Sequence, residues 1–208
     1  MRIDSLKTTP DRAGRYWLTF SDGTKLALYR QTVEDFGLYA GKELTPQQQQ
    51  ALEAAAGKMS AKMRAVRIVS AASVSRKDLE SRLVRKGEDP QQAKEAVAWM
   101  EELNLVDDRK TADQVVYSCI QKGYGLARAK QALYGKGIPK ELWEEALADY
   151  PDQQDKILAF LHSRLDGDSD EKQIKRTVDA LLRRGHSYGA IRRAMEQLSM
   201  DWETLPED

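Results

Sequence analysis

What this chain lacks narrows its possibilities first. A single cysteine in 208 residues means no disulfide can close within it, so its core must rest on apolar packing. That residue, Cys119, stands with Ala112, Val115 and Val116 at helical spacing, which predicts a buried thiol and not a nucleophile. The two histidines, His162 and His186, have no cysteine or histidine partner at ligand spacing, which argues against a bound metal. No apolar run approaches the roughly 20 residues needed to span a bilayer. The opening "MRIDSLKTTP" has no apolar core and cannot act as a secretion signal. A soluble, cytoplasmic protein is expected.

Net charge is missing too. The 33 basic and 33 acidic residues cancel, which excludes binding to nucleic acid through bulk composition. Residues 58–150 carry 17 basic and 14 acidic side chains and residues 151–208 carry 9 and 12, so any basic surface must come from placement on helix faces.

Catalytic patterns are equally scarce. No Ser/His/Asp or Cys/His arrangement stands out, and the Gly-x-Gly at 123–125 lacks the preceding strand of a nucleotide-binding fingerprint. Asp107-Asp108 could form an acid–base pair, but a helix cap explains it better. Asp166, Asp168 and Asp170 resemble the opening of a calcium loop. Its sixth place holds Glu171 where glycine is required and its twelfth holds Thr177 where glutamate is, so a solvated loop is expected. The expectation is a non-enzyme without metal or cofactor.

What is present begins with a hairpin. "RYWLTFSDGTKLALYRQTV" alternates with period two on both sides of Asp22-Gly23, a dipeptide suited to a tight turn. Trp17 and Phe20 fall on one strand, with Leu26, Leu28 and Tyr29 on the next, and "VEDFGLYAGKEL" follows as a connector. From Thr45 the period changes to 3.6. Thr45-Pro46-Gln47-Gln48 reads as a capping box with proline at the first helical position, opening a helix that fades near Gly57. A new helix is expected from Ser60, a second capping box at Ser75–Asp78, and a cap-plus-proline start at Asp89-Pro90.

The helical part repeats itself. Set on Gly87, Gly137 and Gly185, which are 50 and 48 residues apart, three stretches superpose without a gap. Leu83, Leu133 and Leu181 stand four residues before the glycine; Ala93, Trp143 and Ile191 stand six after it; Ala96, Ala146 and Ala194 stand nine after it. A base, Lys86, Lys136 or Arg184, immediately precedes each glycine. The pattern predicts a helix ending at a left-handed glycine, then a turn into a second helix. Each such pair has a helix before it, near 60–72, 108–122 and 151–164. The fold expected is mainly α: an elongated array of three tandem three-helix repeats at 58–106, 107–150 and 151–208, the last with a C-terminal tail, behind an N-terminal hairpin-plus-helix region at 1–57. Trp143 is expected to fill the core of the second repeat.

The middle repeat, "NLVDDRKTADQVVYSCIQKGYGLARAKQALYGKGI", resembles the RecX family of bacterial RecA regulators. Asp107, Asp108, Ala112, Lys122, Gly123, Gly125, Leu133, Lys136, Gly137 and Ile138 fit that family's pattern, while Val106, Thr111 and Ala129 depart from it. "SRKDLESRLVRKG" and "LLRRGHSYGAIRRAM" are similar to its first and third units, and "SDGTKLAL" with "FGLYAGKELT" to the N-terminus of its longer members. The resemblance implies a modulator lying in the groove of the RecA–single-stranded DNA filament and suppressing ATP hydrolysis, strand exchange and support of repressor cleavage.

Candidate contact residues come from the helix faces. Arg128 and Arg176 both stand nine residues before their glycine and point away from the apolar stripes Leu126, Ala129, Leu133 and Ile174, Val178, Leu181. Arg183 and Arg193 also project outward, and Arg82 and Arg85 offer an alternative surface on the first repeat. Equivalent arginines on successive repeats would make a spaced row for acidic protein or phosphate groups. Two partners remain open at this point. One is the RecA nucleoprotein filament, bound by a monomer with at most weak direct binding to single- or double-stranded DNA. The other is DNA alone, without RecA. No membrane partner is expected.

Overall fold

Alternation and turn chemistry set the N-terminal sheet. In the computed structural model, which describes residues 1–166 and 169–198, β1 (Ile3–Leu6), β2 (Arg15–Phe20) and β3 (Lys25–Tyr29) pair antiparallel in that order. The β2–β3 turn falls at Asp22-Gly23, where Asp22 accepts from the Thr24 amide at 2.9 Å and Gly23 takes φ 85°. Two elements here exceed the expected hairpin. β1 has only Ile3 and Leu6 as apolar residues, too few to show an alternation, yet Ile3 is wholly buried. The short helix α1 (Arg30–Asp35) lies where the sequence suggested strand end and connector.

The helix α2 (Pro46–Ala71) starts as its capping box dictates: Gln48 N–H donates to Thr45 Oγ1 at 3.2 Å and Thr45 N–H to Gln48 Oε1 at 2.9 Å. It does not stop at Gly57. The expected break between Gly57 and Ser60 is absent: a lone glycine costs a helix only about 1 kcal/mol, which the packing of Leu52, Ala56, Ala61 and Ala65 on either side outweighs. Ile3, Leu18, Phe20 and Leu28 pack with Leu52 and Ala56 from the first half of α2. Its second half supplies Ala61 and Ala65 to another cluster, shared with α3 (Arg76–Arg85) and α4 (Pro90–Glu102). Ser75 caps α3 and Asp89 caps α4, as read from the sequence. These elements form one unit, Met1–Asp107.

The second unit, Asp108–Asp208, holds six helices among its described residues: α5 (Asp108–Gln121), α6 (Leu126–Gly135), α7 (Trp143–Leu147), α8 (Gln154–His162), α9 (Glu171–Arg183) and α10 (Tyr188–Gln197). All three recurring glycines are left-handed, with φ of 90°, 69° and 85° at Gly87, Gly137 and Gly185. Leu83, Leu133 and Leu181 are fully buried, each contributing about 2–3 kcal/mol of apolar transfer. The middle repeat departs from the others. A 3-10 turn at Lys140–Leu142 precedes the five-residue α7, and Trp143 is only half-buried where Ala93 and Ile191 are fully enclosed. The indole is too large for that enclosed position; it lies across the cluster edge and donates Nε1–H to the Ile138 carbonyl at 3.0 Å.

Candidate functional site

The Gly-Tyr-Gly segment 123–125 turns α5 into α6, and its surroundings explain both glycines. Gly123 has φ 63°. Gly125 is demanded by packing: a Cβ there would stand 2.0 Å from the Gly185 carbonyl oxygen. The Gly125 amide donates to the Arg184 carbonyl at 2.9 Å and the Ala127 amide to the Gly185 carbonyl at 3.3 Å. Unpaired donors at the start of α6 thereby meet unpaired acceptors at the end of α9, a head-to-tail arrangement that helix dipoles favour.

The end of α5 is finished in the same way. Its trailing carbonyls receive Arg184 Nη2 on Lys122 (2.7 Å), His186 Nε2 on Gly123 (3.1 Å) and the Tyr150 hydroxyl on Tyr124 (2.7 Å). Burial pushes the Tyr150 phenol up to about 12, which keeps the donating proton in place. Burial lowers His186, with Arg184 acting in the same direction and the bond to Gly123 opposing them. A neutral His186 donating through Nε2 satisfies both facts. Cys119 is buried and its thiol is pushed up by desolvation, so it is a poor nucleophile.

Around this junction lies a groove of about 660 Å³. Tyr124 and Phe160 line it together with Arg128, Arg164, Arg183 and Arg184. The guanidiniums lie against the rings: Arg184 sits 5.3 Å from the Tyr124 centroid and 5.2 Å from that of Phe160, Arg164 sits 5.1 Å from Phe160, and Arg128 sits 5.9 Å from Tyr124. Among the described residues, no carboxylate lines the groove. Such cation–π contacts hold the guanidiniums beside the rings without using up their N–H donors.

The structure brings Arg128 and Arg183 together here. Arg176 lies two helical turns before Arg183 on the same stripe of α9, exposed but outside the lining. Arg193 lines a separate cleft of about 590 Å³ with Lys130 and Asp152. In the first unit, Arg82 is held by Asp78, with Nε–Oδ1 and Nη2–Oδ2 distances of 2.8 Å, and Arg85 is exposed. Sequence reasoning missed Arg164, Tyr124 and Phe160, and it assigned Arg184 only a helix-end role. Of the three loop aspartates, Asp168 lies outside the described residues, and Asp170 caps α9 by accepting from the Gln173 amide at 2.7 Å. Among the described residues no three His, Cys, Asp or Glu side chains are grouped to hold a metal, and no helix is long and apolar enough to cross a membrane.

A three-stranded sheet followed by helix–turn–helix units closing on left-handed glycines defines a tandem helical-repeat protein, and the relatives agree. Residues 107–147 match the family model described as RecX, second three-helix domain. "Regulatory protein RecX" of Chlorobaculum tepidum is 31% identical over 143 residues, covering 67% of this chain and 88% of the relative. The protein of the same name from Streptococcus gordonii is 26% identical over 190 residues, covering 89% and 74%. The chain belongs to the RecX family. Its fold is similar to a crystal structure of regulatory protein RecX, with a TM-score of 0.65 at 20% identity over 94% of this chain and 98% of the other. It is also similar to RecX from Lactobacillus salivarius, with a TM-score of 0.60 at 23% identity over 69% and 97%.

Proposed function

We propose that this protein is a non-enzymatic, cytoplasmic regulator that binds the RecA–single-stranded DNA filament as a monomer. It inhibits the filament's ATPase, strand exchange and coprotease activity, and so restrains recombinational repair and the SOS response. Residues 58–106, 107–150 and 151–208 serve as successive contact modules, with 1–57 as an N-terminal attachment. The observation that supports this reading best is the gathering of arginines on one face of the second unit in a chain of zero net charge. Such a face offers local attraction to an anionic surface without general stickiness.

The test is a titration of the protein into RecA on single-stranded DNA, following ATP hydrolysis and filament length together. Inhibition that depends on the filament is expected. Arg128→Glu combined with Arg176→Glu reverses two exposed charges at equivalent repeat positions and should weaken inhibition at least tenfold, about 1.4 kcal/mol. A parent protein that leaves hydrolysis and filament length unchanged, while binding naked DNA tightly, would replace this reading with a DNA binder that acts without RecA.

A further inference from the structure

The arginine groove does not end at its own rim. A second depression of about 290 Å³ shares Phe160 and Arg184 with it and adds Lys122 and Lys156. Six cations therefore line two adjoining depressions, and among the described residues no carboxylate lines either part. Local charge pairing is common elsewhere in this chain. Arg15, Arg30, Arg64, Arg82 and Arg192 each hold a carboxylate. By contrast, Arg128, Arg164, Arg183 and Arg184 hold none among the described residues; Arg128 bonds only the Gln131 amide oxygen and Arg184 only the Lys122 carbonyl, besides their rings. Lining up like charges without counter-charges costs electrostatic energy that an anionic occupant recovers.

We propose that this track, from Arg128 and Arg183 past Phe160 to Lys122 and Lys156, binds the phosphodiester backbone of a nucleic acid strand. This deepens the reading of the second unit as a filament contact surface and rests on it. The track is open and spreads six cations over two adjoining depressions, so it suits a polymer over a small phosphate compound. Four of its six cations are arginines, whose in-plane N–H pairs match two phosphate oxygens at once. Guanidiniums already lie 5.1–5.9 Å from the Tyr124 and Phe160 ring centroids, so these rings are engaged by cations and compete poorly as platforms for bases. Recognition is consequently of the backbone and indifferent to base sequence.

The test uses the full-length protein and labelled oligo-dT and oligo-dC of about 30 nucleotides, with binding followed by anisotropy from about 20 to 200 mM salt. Arg164 and Arg183 are exposed, so Arg164→Ala with Arg183→Ala leaves the core untouched. This pair should weaken binding at least tenfold at low salt and lower the salt slope by about 1.4, or about 0.7 for each phosphate no longer neutralised. Arg176→Ala with Arg193→Ala removes the same charge outside the track and should weaken binding less than threefold. Oligo-dT and oligo-dC should bind alike. Equal weakening by both double variants, no oligonucleotide binding by the parent, or displacement of a labelled poly-glutamate but not of DNA would overturn the proposal. Inhibition of RecA is read separately on the parent and on the Arg164→Ala with Arg183→Ala variant. Loss of inhibition with oligonucleotide binding intact would sink the phosphodiester assignment and keep the regulator. A parent that binds oligonucleotide but does not inhibit RecA would sink the regulator and keep the track.

Discussion

Glu88 and His186 hold the same place in their repeats, one residue past the left-handed glycine, and both are buried, yet they close different structures. The Glu88 carboxylate takes Arg64 Nε and, at 3.0 Å, Ser60 Oγ, both from α2 within its own unit. His186 meets the Gly123 carbonyl at the end of α5, which belongs to the preceding repeat. The glycines beside them differ to match. Nothing lies within 4 Å of a Cβ placed on Gly87, whereas one on Gly185 would be 2.3 Å from the Arg128 amide nitrogen. One turn geometry can thus seal a repeat onto itself or join it to its neighbour. The choice is made by the side chain that follows the glycine and by which helix end still needs partners.

The sharpest way to break this comparison is to substitute the two glycines. Gly185→Ala adds a backbone clash to left-handed strain and should cost about 2–5 kcal/mol in urea unfolding, while Gly87→Ala carries the strain alone, about 1–2 kcal/mol. Equal costs would mean that the backbone packed on Gly185 relaxes freely. Next comes the middle repeat. Half-buried Trp143→Ala should lose about 2 kcal/mol, against about 2–5 for fully buried Ile191→Ala. A larger loss at Trp143 would place the indole deeper than its exposure indicates.

His186 offers a pH test of the joined turn. Burial holds its imidazole below the ordinary 6.5, so the folded state prefers the neutral ring. The associated stability is present above 6.5 and is lost as pH falls through the folded value, because the unfolded chain then binds the proton more readily. The Tm of the parent should therefore fall more between about pH 7 and pH 5 than that of His186→Gln, which keeps an N–H donor but cannot titrate. Parallel curves would remove His186 from the acid response. The smallest effects belong to the arginines. Arg82→Ala breaks a half-exposed pair with Asp78 and should cost about 0.2–1 kcal/mol, while Arg183→Ala should stay within about 0.5 kcal/mol.

The recurring residues were legible because they answer to local geometry. Leu83, Leu133 and Leu181, the glycines after them, and the caps at Thr45, Ser75 and Asp89 each follow from a helix that must start, bury a stripe and stop. Gly57 misled because a lone glycine weakens a helix by only about 1 kcal/mol, and spacing alone does not show the buried residues on either side that carry α2 through it. β1 stayed hidden because a strand of four residues with two apolar positions has no period to detect. Of the candidate site, Arg128 and Arg183 could be read from their outward faces. Arg164, Tyr124 and Phe160 could not, because their meaning lies in ring-to-guanidinium contacts across the fold. Arg184 had one signal, its place beside a recurring glycine, and that signal has an adequate explanation in helix dipoles alone.

The bonds that finish α5 span 62 residues from Lys122 to Arg184 and 63 from Gly123 to His186. On a ribosome adding about 5–20 residues per second, the end of α5 is made roughly 3–12 s before the groups that complete it. During that interval the nascent second repeat carries open carbonyls and an uncovered face at Gly125. Its final ordering is therefore timed by the third repeat's emergence from the exit tunnel. An arrest-peptide force profile should show the pulling event for α5 and α6 only after residue 186 has cleared the tunnel.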